Sequence, residues 1–304
     1  MPATPPDTLR PVVYARRRGA RAAPLEDWTS TWVCVGFAEQ LRRPGDLLPA
    51  TITGHALHVR RCDDGGLQAA LNARSFGGCM SIPLQCAGAR KIRCPHAGCA
   101  FSEDPELVSP QTDEGARMLA QFVGFDPARL VPVRLERWGS LLFVNLSREP
   151  AVPLADALAP LNAAMRPAAL DDLQAAAVFT QALSLGSKAA GLALAEALAA
   201  RAGAGPLHIE AAAPPRSQAI AFTRLVPASR SGHGAIACYV VAPHLMLACL
   251  PECVLAAVLR PVGPTACSML GAVLRPPDAG HRDAAADAIV AWWRDGLDAL
   301  DAAP

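Results

Sequence analysis

The chain has 304 residues, with 28 basic and 27 acidic side chains and a formal net charge of +1, so it lacks the broad field that would hold nucleic acid or an anionic membrane. Its hydrophobic fraction of 52% is inflated by alanine, and no unbroken apolar stretch reaches the roughly 18 residues of a membrane span. The length suits two domains, each able to bury its own core.

Residues 1–26, rich in Pro, Arg and Ala, read as an arm. Arg16-Arg17-Arg18 is not followed by an apolar segment, so the parts of a secretory signal are missing and a cytoplasmic protein is expected. Trp32 opens a short apolar run to Phe37, and Pro44-Gly45-Asp46 follows as turn chemistry. Residues 51–60 and 67–72 read as two strands joined by the turn Asp63-Asp64-Gly65-Gly66. Residues 131–146 read as a hairpin turning at Trp138-Gly139, which closes an antiparallel all-β unit over residues 27–150.

A linker at 147–153 leads into 154–183, mostly helical in composition, and then into an alanine-rich helix at 186–204. Strands are predicted at 208–211, 218–223, 235–241, 245–249, 254–259 and 268–274. An amphipathic helix at 283–301 carries Ile289, Trp292, Trp293, Leu297 and Leu300. The expected fold class is α+β, with residues 151–304 forming an antiparallel sheet whose helices are segregated to one face.

The residues able to carry chemistry concentrate between positions 72 and 101. Asn-Ala-Arg-Ser-Phe-Gly-Gly at 72–78 is followed by Cys94-Pro95-His96-Ala97-Gly98-Cys99. Cys94, His96 and Cys99, with Cys79 or Cys86, are a group of soft ligands able to make a tetrahedral zinc site or a rebuilt cluster. Their spacing follows no standard zinc pattern, and the plainer reading is packing thiols. Cys238, Cys249, Cys253 and Cys267 lie in apolar text and read as small hydrophobes. His55 and His58 fall on opposite faces of a strand, which argues against a shared metal. Gly186-Ser187-Lys188 lacks the upstream glycine of a phosphate loop, and Ser184-Leu185-Gly186-Ser187 is not a nucleophile elbow.

The order of landmarks resembles the catalytic α subunit of the Rieske non-haem iron ring-hydroxylating oxygenases. The family's Trp-x-x-Val-Gly strand matches Trp32 to Gly36, its Pro-Gly-Asp turn Pro44-Gly45-Asp46, and its Asp-Gly turn Asp64-Gly65. Its Asn before the first ligand loop matches Asn72, its second loop Cys94 to Cys99, and its Glu-x-Trp-Gly-x-x-Phe-Val-Asn-Leu hairpin Glu136 to Leu146. Fainter echoes follow at Pro243-His244-Leu245-Met246-Leu247 and in the terminal Trp292-Trp293 helix. The resemblance implies a Rieske-like N-terminal domain and a helix-grip oxygenase C-terminal domain.

It also implies ligand sets that this chain departs from. A Rieske cluster takes two thiolates and two imidazoles from loops of the form Cys-x-His and Cys-x-x-His. The first cysteine falls on Arg74 and its histidine on Phe76; the second cysteine is kept as Cys94 and its histidine falls on Ala97. A guanidinium does not deprotonate to ligate iron, and a phenyl ring has no lone pair. The mononuclear iron of the family is held by two histidines and a carboxylate. Its helical motif, an acidic residue and two histidines, falls on Glu196, Ala199 and Ala204, where Glu196 matches an electron-relay position rather than a ligand. Asp298 or Asp301 could stand for the third ligand, with solvated helix surface the plainer reading.

The expectation is therefore a non-catalytic relative with no cofactor, assembling with or regulating a ligand-complete α subunit or with itself in a trimer-based oligomer. One alternative is an active Rieske-type oxygenase, hydroxylating or demethylating, with [2Fe-2S] or zinc in a rebuilt centre at Cys79, Cys86, Cys94, His96 and Cys99. Another is a protein that binds an apolar ligand in its second domain without transforming it.

Overall fold

A computed structural model describes residues 28–52, 55–71, 91–93, 100–102, 131–150, 152–165, 170–213, 219–228, 236–263, 265–277 and 284–301. Its framework is two antiparallel sheets. The N-terminal sheet contains β1 (Val33–Phe37), β2 (Leu47–Ile52), β3 (His55–Arg61) and β4 (Leu67–Leu71). A two-stranded ribbon, β5 (Lys91–Arg93) and β6 (Ala100–Ser102), stands apart from it, and the hairpin β7 (Pro132–Trp138) and β8 (Leu141–Asn145) completes it. The order is β1-β8-β7-β4-β3-β2.

Predicted residues 51–60 are divided between β2 and β3, which pair antiparallel from Leu47 opposite Arg60 to Ile52 opposite His55. The strand signal was continuous because apolar residues populate both arms of one tight hairpin. His55 is exposed and His58 is buried. At the tip of β7 and β8, Gly139 has φ of +54°, and a Cβ there would lie 2.0 Å from the Leu170 carbonyl oxygen. Only glycine suits that position, for backbone conformation and for space.

The C-terminal sheet follows the helix α1 (Leu154–Met165) and contains β9 (Gln174–Leu183), β10 (Leu207–Ala213), β11 (Phe222–Pro227), β12 (Ala237–Val241), β13 (Leu245–Cys249), β14 (Val254–Gly263) and β15 (Ala266–Arg275). Its order is β10-β11-β12-β13-β14-β15-β9. Helix α2 (Ser187–Arg201) links β9, at one edge, to β10, at the other, and α3 (Ala284–Asp301) follows the last strand.

Two expectations are corrected here. Residues 174–183 form a strand, although Gln-Ala-Ala-Ala-Val-Phe-Thr-Gln-Ala-Leu reads locally as helix. Its ladder to β15, from Gln174 opposite Arg275 to Leu183 opposite Cys267, overrides the alanine propensity. The helices are also not confined to one face. Helices α2 and α3 pack on one side, where Leu194, Leu198, Trp293 and Leu297 join Leu255 and Met246 in a core. Helix α1 lies on the other side, where Leu158, Leu161 and Met165 share a core with Tyr239, Leu247 and the N-terminal residues Trp32 and Phe143. Alternate residues of each strand supply the two cores, as the period of two requires.

Candidate functional site

The positions that matched the oxygenase iron motif sit on α2 and just beyond its end. Helix α2 buries Ala190, Gly191, Leu194, Ala195, Leu198 and Ala199 against the sheet, a stripe of small and aliphatic residues at helical spacing. Ala199 is 1% exposed within that core. Glu196 is on the exposed side of the helix, and Ala204, past the helix end, packs half-buried at the rim of the same core. Asp298 is exposed on α3 and accepts a hydrogen bond from Gln181 Nε2 at 3.4 Å. The structure therefore does not gather Glu196, Ala199 and Asp298 around one point. The first ligand loop with Arg74 and Phe76, and Cys79, Cys86, Cys94, His96, Ala97 and Cys99, lie outside the described residues. The Cys94–Cys99 segment falls in sequence between β5 and β6.

A polar seam joins the two sheets, and several of the landmark residues are in it. Trp32 Nε1 donates to the Val152 carbonyl at 3.1 Å. Glu136 accepts the Leu154 amide at 3.1 Å, capping the start of α1 with a carboxylate, where the helix dipole favours negative charge. Arg260 donates to the Val35 carbonyl. His244 Nε2 is 2.9 Å from the Cys34 carbonyl oxygen, and the Trp28 ring covers the imidazole at 4.9 Å between centroids. Burial pushes the His244 pKa down to about 4, with Arg260 pushing the same way and the Cys34 bond opposing. Burial likewise pushes the Cys34 thiol up to about 12 and the Arg260 guanidinium down to about 10. His244 is thus neutral at pH 7, and the buried thiol is unreactive.

Beside this seam, at the start of α2, lies a cleft of about 390 Å³. Ser187, Lys188 and Leu192 form one wall, and Phe222, Val240 and the turn Ala242-Pro243-His244 form the other. The peptide before Pro243 is cis, which bends the chain between β12 and β13. The walls are mostly aliphatic, with polarity supplied by Ser187, Lys188, Thr223 and His244. Sequence reading noticed His244 only as part of a faint family echo. A histidine following a proline between two apolar strands was the available signal, but its neighbours in the cleft come from six separate elements.

No protein-family model matches the chain. In sequence it is 30% identical over 155 residues to the carnitine monooxygenase oxygenase subunit of Escherichia coli K12, covering 50% of this chain and 40% of that relative. The corresponding subunit of Acinetobacter baumannii is 25% identical over 121 residues, covering 39% of this chain and 31% of that one. The chain thus spans well under half the length of the curated relatives it matches. In structure it is similar to the apo form of the quaternary ammonium Rieske monooxygenase CntA, with a TM-score of 0.56 and 17% identity over 90% of this chain and 76% of that one. A naphthalene 1,2-dioxygenase bound to phenanthrene matches with a TM-score of 0.56 and 16% identity, over 90% and 75%. The chain thus has the fold of Rieske oxygenase structures and, over half its length, a sequence similar to that of a Rieske-type oxygenase subunit.

Against that family's metal chemistry, the side chains at the aligned positions do not fit. Methyl groups at Ala199 and Ala204 offer no donor, and Glu196 faces water. An imidazole at position 199 would have to displace packed core atoms and would carry a buried ring nitrogen. Of the cluster positions, Arg74, Phe76 and Ala97 have no thiolate or imidazole to give. Among the described residues, no group of three or more His, Cys, Asp or Glu is placed to hold a metal ion. The same residues include no helix long and apolar enough to cross a membrane.

Proposed function

We propose that this chain is a non-catalytic, α-like member of the Rieske oxygenase family, which assembles in the cytoplasm with a catalytically complete oxygenase subunit or regulates it. The observation that carries this reading is Ala199, a methyl group 1% exposed in the core where the family motif calls for an iron-binding histidine. Packing, rather than ligation, is what that side chain does. The landmarks Trp32 and Glu136 support the same reading, because their contacts hold the segment that leads from the N-terminal sheet into α1. One solved structure of a quaternary ammonium Rieske monooxygenase concerns inter-subunit electron transfer; a chain without metals would interrupt such a path, so it fits better as a separate or regulatory subunit than inside an electron-passing ring.

The test is purification of the tagged full chain from its own cells, with size-exclusion chromatography and assay of iron, acid-labile sulfide and zinc. The expected outcome is co-elution with an α subunit that has intact Cys-x-His and Cys-x-x-His loops, and no stoichiometric metal on this chain purified alone. A Rieske-type electron paramagnetic resonance signal from the isolated chain would replace this reading with that of an active oxygenase whose centre is rebuilt on Cys79, Cys86, Cys94, His96 and Cys99.

The cleft beside α2 favours a second reading, in which the C-terminal half binds an apolar ligand without transforming it. Its aliphatic walls and volume of about 390 Å³ are of the size and character of small-molecule sites.

A further inference from the structure

The two edges of the C-terminal sheet are finished differently. At one edge, β9 is flanked by charge: Glu39, Arg42 and Asp287 share a hollow with Ala175 to Val178, Asp298 accepts from Gln181, and Arg294 lies 5.0 Å from the Phe179 ring centre. Charged side chains of this kind discourage the pairing of a further strand. At the other edge, β10 reads Leu-His-Ile-Glu-Ala-Ala-Ala over residues 207–213. His208, Ile209, Glu210, Ala211 and Ala212 are all exposed, Ile209 to 64%. Among the described residues, β11 is its only strand neighbour, and no backbone hydrogen bond reaches its outer side. The edge thus presents unpaired N–H and C=O groups with an apolar side chain at its middle.

The side chains of β10 are complementary to a second copy of the same strand. In the ladder to β11, His208 opposes Val226 and Ile209 opposes Leu225. The irregularity between Ile209 and Ala211 brings Glu210 to the face of Arg224, with which it pairs. His208 and Glu210 therefore share one face, and Ile209 is on the other. When two antiparallel copies meet with Ile209 opposite Ile209, His208 of each stands opposite Glu210 of the other. An imidazole N–H donates to a carboxylate, so both polar pairs match while the two Ile209 side chains meet at the twofold axis. Glu210 Oε2 lies 2.5 Å from Arg224 Nη1, and a carboxylate accepts at both oxygens, so this ion pair leaves Oε1 for the second copy.

We propose that β10 is a self-association edge, at which two copies of this chain pair antiparallel about a twofold axis at Ile209 and join their seven-stranded sheets into one. Such a contact is isologous and closes on itself, so it makes a pair rather than a ring of three. The inference goes beyond the assembly reading above: the occupant of this edge is a second copy, and the contact does not depend on a ligand-complete α subunit.

Analytical ultracentrifugation of the full chain purified alone tests this, with circular dichroism as the check on folding. The wild-type chain should sediment with the mass of two chains at about 100 μM, a concentration that populates even a small interface. Ile209→Lys, at an exposed side chain, should sediment as a single chain with an unchanged circular dichroism spectrum. His208→Glu sets carboxylate opposite carboxylate twice and should weaken association about tenfold, whereas His208→Lys keeps both opposite-charge pairs and should dimerise at least as well as the wild type. A single-chain mass for the wild type overturns the proposal. An oligomer that Ile209→Lys leaves intact also overturns it, by placing the contact elsewhere, and equal association of the two His208 variants contradicts the antiparallel register on which it rests. A foreign protein that co-purifies with a single copy of this chain and is released by Ile209→Lys would assign the edge to another protein's strand, and the proposal would fall.

Discussion

The two faces of the C-terminal sheet have been put to different use. Where α2 and α3 cover it, the core is aliphatic and aromatic, with Ala195, Leu198, Ala199, Trp293 and Leu297. Where the N-terminal sheet and α1 meet it, His244 and Arg260 bond to the β1 carbonyls of Cys34 and Val35 across the seam, while Trp32 and Glu136 bond to the backbone that leads into α1. The contrast is that polar side chains bridge segments at the seam, whereas Ala199, one of the positions that matched an iron motif, fills space in the core of the helical face. Function on this chain is therefore to be sought at the seam and in the cleft beside it, rather than along the buried stripe of α2.

The sharpest way to break that contrast is to disturb each face by itself. On the helical side Trp293, 1% exposed, meets Phe179 edge-on at 5.1 Å. Trp293→Ala should cost about 3–5 kcal/mol of unfolding free energy, read from urea denaturation, and should leave binding of an apolar probe in the cleft of the folded protein unaltered. A loss of binding in proportion to stability would mean that the two faces are not separate. On the seam side, Gly139→Ala forces a Cβ against the Leu170 carbonyl at a positive φ and should cost about 3 kcal/mol. Gly65→Ala provides the control, since φ is +80° there but nothing lies within 4 Å of the added Cβ. It should cost only about 1 kcal/mol, and equal costs for the two glycines would remove the case for a tight approach at the seam.

A pH titration sharpens the same comparison with a smaller effect. The His244 pKa is depressed to about 4 in the folded chain against an ordinary 6.5. The unfolded chain therefore binds the proton first as pH falls. The stability associated with a neutral, buried His244 is present above pH 6.5, declines between 6.5 and 4, and falls no further below 4. The loss should amount to at most about 3 kcal/mol, and His244→Gln, which keeps an N–H donor for the Cys34 carbonyl, should lack this component. Parallel stability curves for the two proteins would show that His244 is not the group responsible.

The smallest effect is expected on the outside of the helical face. Arg201 and Asp295 approach to 3.8 Å, with Asp295 largely exposed. Asp295→Asn should change stability by less than about 0.5 kcal/mol, in contrast to Trp293 two residues away. A larger change would mark that surface as something other than solvated.

Much of this architecture was legible in the residues. The hairpin of β7 and β8 followed from alternating apolar text around Trp138-Gly139, and β13 was bounded correctly at Leu245 and Cys249 because Pro243 and Pro251 punctuate it. The terminal helix followed from the spacing of Ile289, Trp293 and Leu297. Residues 174–183 misled because alanine favours helix locally, and only β15, more than eighty residues further on, supplies the ladder that makes them a strand. The metal positions could be compared by type from the sequence, but the burial of Ala199 and the exposure of Glu196 could not. The cleft was not legible, since Ser187 and Lys188 lie more than thirty residues before Phe222 and the elements that line it share no pattern.

The sequence by itself determined the antiparallel α+β character, the order of the family landmarks and the chemical identity of each aligned position, because turns, periodicity and side-chain type are local properties of the chain. Which face each helix covers, which strand an alanine-rich segment joins, and which groups meet around His244 were decided by tertiary structure. Those outcomes depend on contacts between distant segments, where burial and ladder pairing outweigh the preferences of any short stretch.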